Sequence, residues 1–197
     1  MKTRIAKAMG LDGSLLESVR LAGRVVDVIV ELNDSELARR RQTGRNVAVD
    51  RDALRLLAEL PHRQPVPLSD FDPFRRTLLQ TMGEGLARVT ESHVERTWMP
   101  PLEIRGFLVV SANWRTALRR VSLFTADAPR AIAYTGSGSL ANAQARAKTF
   151  GVGLARVLGK EIEVLVQPER HLVRHDEIRW ALTERLLSLW SARAVKA

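Results

Sequence analysis

The chain contains no cysteine, one tyrosine and few aromatic residues overall (5%). Without cysteine there are no disulfides, no thiolate metal ligands and no thiol nucleophile, and a reducing cytoplasm is the expected setting. Long apolar runs are also missing. The apolar patch from Val25 to Val30 is broken by Asp27, and nothing approaches the roughly 20 apolar residues of a membrane span. The basic start, Met1-Lys2-Thr3-Arg4, is not followed by an apolar stretch of signal-peptide length. There is no internal repeat and no low-complexity tract. No GxxxxGK[ST] sequence occurs, which excludes a standard phosphate-binding P-loop, and no Ser–His–Asp grouping is visible from spacing. These absences lead us to expect a cytoplasmic, bacterial-type protein with no membrane association and no cofactor, and they lean away from an enzyme.

What the chain has is positive charge, unevenly placed. The net charge is +9 over 197 residues, with a pI near 11.0. Between Leu102 and Lys160 lie nine basic residues and only two acids, Glu103 and Asp127. The rest of the chain has 22 basic and 20 acidic residues. A balance of this kind favours phosphate-rich partners. Arginine greatly outnumbers lysine, as in proteins from GC-rich genomes, but codon bias does not explain why the excess is concentrated in one segment.

The pattern along the chain reads as α+β. Residues 2–9 predict a short helix ending at Gly10. Ser14 with Glu17 has the form of a capping box, and the apolar spacing from Leu15 to Leu32 predicts a second helix, with Gly23 a weak point inside it. Ile5, Ala6, Met9, Gly10, Leu11, Leu16 and Val19 also fall at spacings that resemble a helix-turn-helix. Against that reading, the would-be recognition helix carries Glu17 and Ser18 and, in its first two turns, only Arg20 as a cation. Further helices are expected from Asp34 or Ser35 through Arg41, and over 51–60 after Asp50, with Asn46–Val49 extended between them. The cluster Arg39, Arg40, Arg41 and Arg45 suits a solvated helix end, since 1–62 as a whole has 11 basic and nine acidic residues. Residues 61–73, with Pro61, Pro65, Pro67 and Pro73, read as a connector. Asp72-Pro73 is a good helix start, and the helix after it is expected to bury Phe74, Leu78, Met82, Leu86 and Val89.

From Ile104 onward the pattern predicts three strands, Ile104–Ser111, Arg115–Thr125 and Arg130–Thr135, whose short connectors favour an antiparallel meander. A helix from Ser139 to Leu158, a strand over Glu161–Val166, a short partner over His171–Arg174 and a last helix from Asp176 complete the reading. The expected organisation is a helical region over 1–62, a connector over 63–72 and an α+β domain over 73–197, its mainly antiparallel sheet backed by helices.

Three groups of residues are candidates for chemistry. Arg105, Arg115, Arg119, Arg120, Arg130, Arg146, Lys148 and Arg156, with Trp114 and Tyr134 nearby, would contact the phosphates of DNA or RNA through the sheet. The competing reading has them merely solvate an outer sheet face, or serve protein–protein contacts. Gly136, Gly138 and Ser139, in a GxGxxA stretch between a strand and a helix, could hold an anion on free amides. A dinucleotide is disfavoured because the nearest acids at the required offset, Glu161 and Glu163, begin a strand instead of ending one. His171 and His175 stand four apart, but Asp176 between strand and helix reads as a cap, so no metal site is assigned. The function expected is therefore non-enzymatic binding of DNA or RNA, with the N-terminal helices available for homo-oligomer formation. The alternative is a protein-interaction or assembly module whose arginine excess is compositional.

Overall fold

The computed structural model describes residues 1–43, 51–83, 85–124, 128–170 and 176–194. In chain order the elements are α1 (Lys2–Ala8), β1 (Ser14–Leu21), β2 (Arg24–Leu32), α2 (Asp34–Thr43), α3 (Arg51–Glu59), β3 (Pro65–Pro67), α4 (Pro73–Thr81), β4 (Ala87–Val89), β5 (His93–Arg96), β6 (Leu102–Ser111), α5 (Trp114–Val121), β7 (Arg130–Tyr134), α6 (Ala141–Thr149), β8 (Val152–Leu158), β9 (Glu161–Val166) and α7 (Asp176–Ala194). Helices and sheets are both present, as expected for an α+β chain. The chain divides into two compact units: Met1–Glu31 with Ile104–Arg174, and Leu32–Glu103 with His175–Ala197. The expected extended segment Asn46–Val49, the cap Asp50 and the short strand over His171–Arg174, with His175, lie outside the described residues.

The first unit is built on a six-stranded mixed sheet in the order β1-β2-β6-β7-β8-β9. The expected second helix is instead the β1–β2 hairpin, which removes the helix-turn-helix reading. Its turn is Ala22-Gly23, since Leu21 pairs with Arg24 and both turn residues have positive φ (45° and 72°). That is the type I′ geometry whose twist suits a hairpin. The β-branched run Val25, Val26, Val28, Ile29, Val30 then extends as a strand, and Val28, Ile29 and Val30 are fully buried. Ala22 carries a left-handed conformation that penalises a Cβ by about 1–2 kcal/mol. Ala22→Asn, which gives the favoured Asn-Gly turn, should therefore raise stability by about 1 kcal/mol in urea denaturation.

Asp27, the break in that run, sits opposite a bulge between Leu16 and Val19. Its carboxylate accepts the Ser18 amide (2.7 Å) and the Lys2 ammonium (3.0 Å), and Lys2 also reaches Glu17 at 2.9 Å. Burial alone would lower the Lys2 pKa, but the hydrogen bonds to Glu17 and Asp27 outweigh it and the pKa is raised. A buried carboxylate on an apolar strand is thus satisfied on both counts, by an amide and by a cation.

The expected antiparallel meander is also corrected. β6, β7 and β8 run parallel, with Phe107 opposite Arg130 and Arg130 opposite Val152. β8 and β9 form the antiparallel hairpin that follows. Residues 115–121, expected as a strand, form α5, because Trp114, Ala117, Leu118 and Val121 repeat at helical spacing and Asn113 caps the start by accepting the Thr116 amide at 3.1 Å. The expected helix 139–158 is shorter. α6 stops at Thr149, Gly151 follows with φ +60°, and β8 occupies the remainder. Parallel strands covered on both faces read as continuous apolar runs rather than alternating ones. One face packs Leu108, Ala131, Ala133, Ala155 and Val157 against Ile5 and Ala6 of α1 and against Met9, which follows it. α5 and α6 pack on β7 and β8 and against each other. Phe107, next to Leu108 and so on the opposite face, stacks on Phe124 at 4.6 Å.

The second unit joins α2, α3, α4 and α7 to a small antiparallel sheet, β3-β5-β4. Its core gathers Leu54, Leu57, Leu60, Leu79, Val94, Trp98 and Trp180. α4 starts as expected, with Asp72 accepting the Arg75 amide at 2.9 Å and Pro73 in the first turn. It ends at Thr81, and Phe74, expected in the core, is 76% exposed while Leu79 is buried. The segment beyond Gly83 continues as strands β4 and β5 instead of helix.

An ion network is buried in this unit. Glu36 and Arg40 are buried, and Arg40 bonds Glu36 through Nε (2.8 Å) and Glu184 through Nη1 and Nη2 (2.8 and 2.6 Å). Trp98 Nε1 donates to the same Glu184 carboxylate at 3.1 Å. Burial opposes the Arg40 charge, yet the bonds to Glu184 and Glu36 more than offset it and raise the guanidinium pKa.

His62 is half-buried, and its Nε2, shielded from solvent, has no hydrogen-bond partner among the described residues. Burial lowers its pKa, the charges of Arg96 and Arg63 lower it further, and Glu36 and Glu95 oppose the shift only partly. The folded chain therefore binds fewer protons at His62 than the unfolded chain. Its stability is complete above an unfolded pKa of about 6.5 and falls as the pH drops through that value. Urea melts near pH 7.5 and near pH 5.5 should show the loss, and His62→Gln should flatten the difference.

Candidate nucleic-acid interface

The expected cationic residues do not share one sheet face. Arg115, Arg119 and Arg120 are on α5, and Arg146 and Lys148 are on α6. All five are exposed, and among the described residues none is in an ion pair with a carboxylate. The other three are occupied. Arg105 pairs with Glu31 of the same unit through Nε at 2.6 Å. Arg156 lies 3.8 Å from Glu163 across the β8–β9 hairpin. Arg130 is 4% exposed and donates from Nη2 to the Phe150 carbonyl at 2.7 Å. Burial pushes the Arg130 pKa down, against the pull of Glu169, and the side chain is part of the core. The basic surface is thus a pair of helices lying on a parallel sheet, which corrects the expected antiparallel basic sheet.

Helical spacing aims these side chains. Arg115 and Arg119 are four apart on α5, and Asn142 and Arg146 four apart on α6, so each pair occupies one helix face. Together with Trp114 and Leu118 they line a cleft of about 570 Å³ between the helices. The Arg115 guanidinium lies 5.0 Å from the Trp114 ring centroid, a cation–π distance. Arg119, Arg120, Arg146 and Lys148 fall in the last turns of their helices, where a cation is stabilised by the helix dipole. Arg115, in the first turn of α5, receives no such help and stands one turn from the like-charged Arg119. Asn142 and Leu118 were not legible as site residues from the sequence. The four-residue offset between Asn142 and Arg146, matching that between Arg115 and Arg119, was the available signal.

The glycine stretch joins β7 to α6. The Gly138 amide donates to the Tyr134 hydroxyl at 2.9 Å, so it is already committed. A Cβ at Gly136 would stand 2.5 Å from that same hydroxyl and 2.7 Å from the Ala112 carbonyl oxygen, so close packing against Tyr134 requires glycine there. Ser139 is not the helix cap, since Leu140 occupies that position without a side-chain bond. These residues form a packed turn joining β7 to α6.

A second cleft, of about 840 Å³, is lined by Arg4, Arg156, Lys160, Glu161 and Glu163 among others. Its charges are mixed, and Arg4 donates to the Lys160 carbonyl at 3.2 Å. Among the described residues no three acidic or histidine side chains converge as a metal would require, and no helix is long and apolar enough to cross a membrane. Comparison with protein-family models, with curated proteins and with solved structures returns no match to the chain.

Proposed function

We propose that this protein binds nucleic acid through the paired helices α5 and α6, mainly by contacts to the phosphate backbone. The observation that carries the reading is the set of five exposed cations on two adjacent helices with no carboxylate partner among the described residues. Arg115, Arg119 and Arg146, left unneutralised around one cleft, raise the local potential and attract a polyanion. Each phosphate they neutralise adds counterion-release free energy. Their competing role, as internal ion-pair partners, is fulfilled by Arg105 and Arg156 instead, and these two therefore drop out of the interface. Self-association through N-terminal helices is not carried forward, because residues 14–32 form a hairpin instead of a helix and most of its apolar side chains, Val25 excepted, are buried within its own unit.

The direct test is fluorescence anisotropy of labelled mixed-sequence oligonucleotides at low salt, with the full chain and with Arg146→Glu. Binding that the charge reversal weakens supports the reading. An absence of binding to any oligonucleotide at low salt removes it.

A further inference from the structure

The cleft between α5 and α6 has a composition that phosphate contacts alone do not require. Only 5% of the chain is aromatic. Of the tryptophans, Trp98 and Trp180 are in the core of the second unit at 0% and 9% exposure. Trp190, on α7 of the second unit, is half-buried. Trp114 differs in what surrounds it. It is half-buried, it lines a solvent-open cleft, and its neighbours there are Arg115, Arg119, Arg146, Asn142 and Leu118. Guanidinium groups at both walls, an indole, one apolar contact and one amide make a set suited to a nucleotide unit, with charge for its phosphate and a flat face for its base. The volume, about 570 Å³, falls within the roughly 300–1,000 Å³ usual for small-ligand sites.

Resting on the nucleic-acid reading above, we infer that this cleft takes an unpaired base of a single strand, stacked on Trp114, with the flanking phosphates on Arg119 and Arg146. A base inside a duplex keeps both faces stacked on its neighbours and cannot offer one to an indole, whereas a base in a single strand can. The Arg115 guanidinium already sits over the Trp114 ring at 5.0 Å. Beside a stacked base it would supply a cation to the stack, as arginine does in single-strand binding grooves. Asn142, with an amide that both donates and accepts, stands where a base edge would be read. The protein therefore prefers single strands to duplex. DNA and RNA share this chemistry, and the two are separated by parallel titrations with oligothymidylate and oligouridylate.

The test uses the full chain, with anisotropy titrations of a labelled single strand and of the duplex made from it, and with the intrinsic tryptophan fluorescence followed in parallel. The single strand should bind at least about tenfold tighter than the duplex and should quench tryptophan emission. Trp114→Ala should lower single-strand affinity by about tenfold or more, lower duplex affinity by a much smaller factor and abolish the quench. Trp114→Phe, which keeps a stacking face and guards against a folding defect, should retain most of the affinity. The salt slope should stay as it is in both Trp114 variants and fall in Arg119→Ala/Arg146→Ala. Equal affinity for single strand and duplex, or a Trp114→Ala variant that binds the single strand as the wild type does, overturns this inference. In that event a loss of affinity in the Arg119→Ala/Arg146→Ala variant still upholds nucleic-acid binding. No binding to either form at low salt overturns both.

Discussion

Glu184→Ala should destabilise the second unit by about 3–5 kcal/mol, the usual cost of removing one member of a buried ion pair and leaving the other uncompensated. The substitution removes the Glu184 carboxylate from both Nη atoms of Arg40, leaves Nη2 the Met99 carbonyl at 3.5 Å, and takes Glu184 from the Trp98 indole N–H. Arg40 is 8% exposed and cannot turn to water without opening the core. The bond from Arg40 Nε to Glu36 would persist, but Glu36 is already shared with Arg39 at 2.7 Å. Glu184→Gln, which keeps an acceptor for Trp98 but no charge for Arg40, should fall between the two. Urea denaturation followed by tryptophan fluorescence reports the change, because Trp98 and Trp180 lie 4.8 Å apart in this core. A loss below about 1 kcal/mol in Glu184→Ala would show the pair to be no more valuable than a surface one.

The second large effect concerns binding. Arg119→Ala combined with Arg146→Ala should reduce affinity for nucleic acid by roughly one to two orders of magnitude at moderate salt, as two phosphate contacts are lost. Arg105→Ala and Arg156→Ala, which remove cations already engaged by Glu31 and Glu163, should change affinity little. The contrast matters more than either value. All four substitutions remove positive charge, so a loss that tracks only the number of arginines removed would signal net charge alone, while a loss confined to α5 and α6 locates the contact surface. Thermal stability should be nearly unchanged in the double variant, since both side chains are exposed and lack ion-pair partners among the described residues.

The local signals that were legible are those with short-range causes. Asp72 and Pro73 begin α4, α1 ends by Met9 and Gly10, and Glu161–Val166 is a strand by alternation. The mixture of helix and sheet was also legible. The pairing was not. Ile132 and Leu154 lie in parallel strands covered from both sides, and such strands lose the alternation that distinguishes them from buried helix. The stripe Leu140, Ala147, Gly151, Leu154, Leu158 fits one helix equally well until Gly151 takes a positive φ. The β1–β2 hairpin was hidden because its turn uses Ala22, a residue with no preference for that conformation, in place of the asparagine or aspartate that announces a type I′ turn. Ser14 and Glu17 imitated a capping box within a strand.

The site was half legible for a related reason. Charge density along the chain identifies the region without identifying the face. Arg115, Arg119 and Arg120 read as a strand would place Arg115 and Arg119 on one side and Arg120 on the other. On α5 they surround an exposed helix surface instead. Arg130 could not be separated from the others by sequence, because its burial depends on the Phe150 carbonyl from the following α–β connection.

The salt dependence of affinity tests the central claim most directly. With the logarithm of the association constant plotted against the logarithm of salt concentration, the wild type should give a steep negative slope. Removing Arg115, Arg119 and Arg146 together should make that slope shallower by about two to three, close to one for each lost phosphate contact. An unchanged slope in the triple variant, with binding retained, would contradict the account and place the polyanion contact elsewhere on the protein.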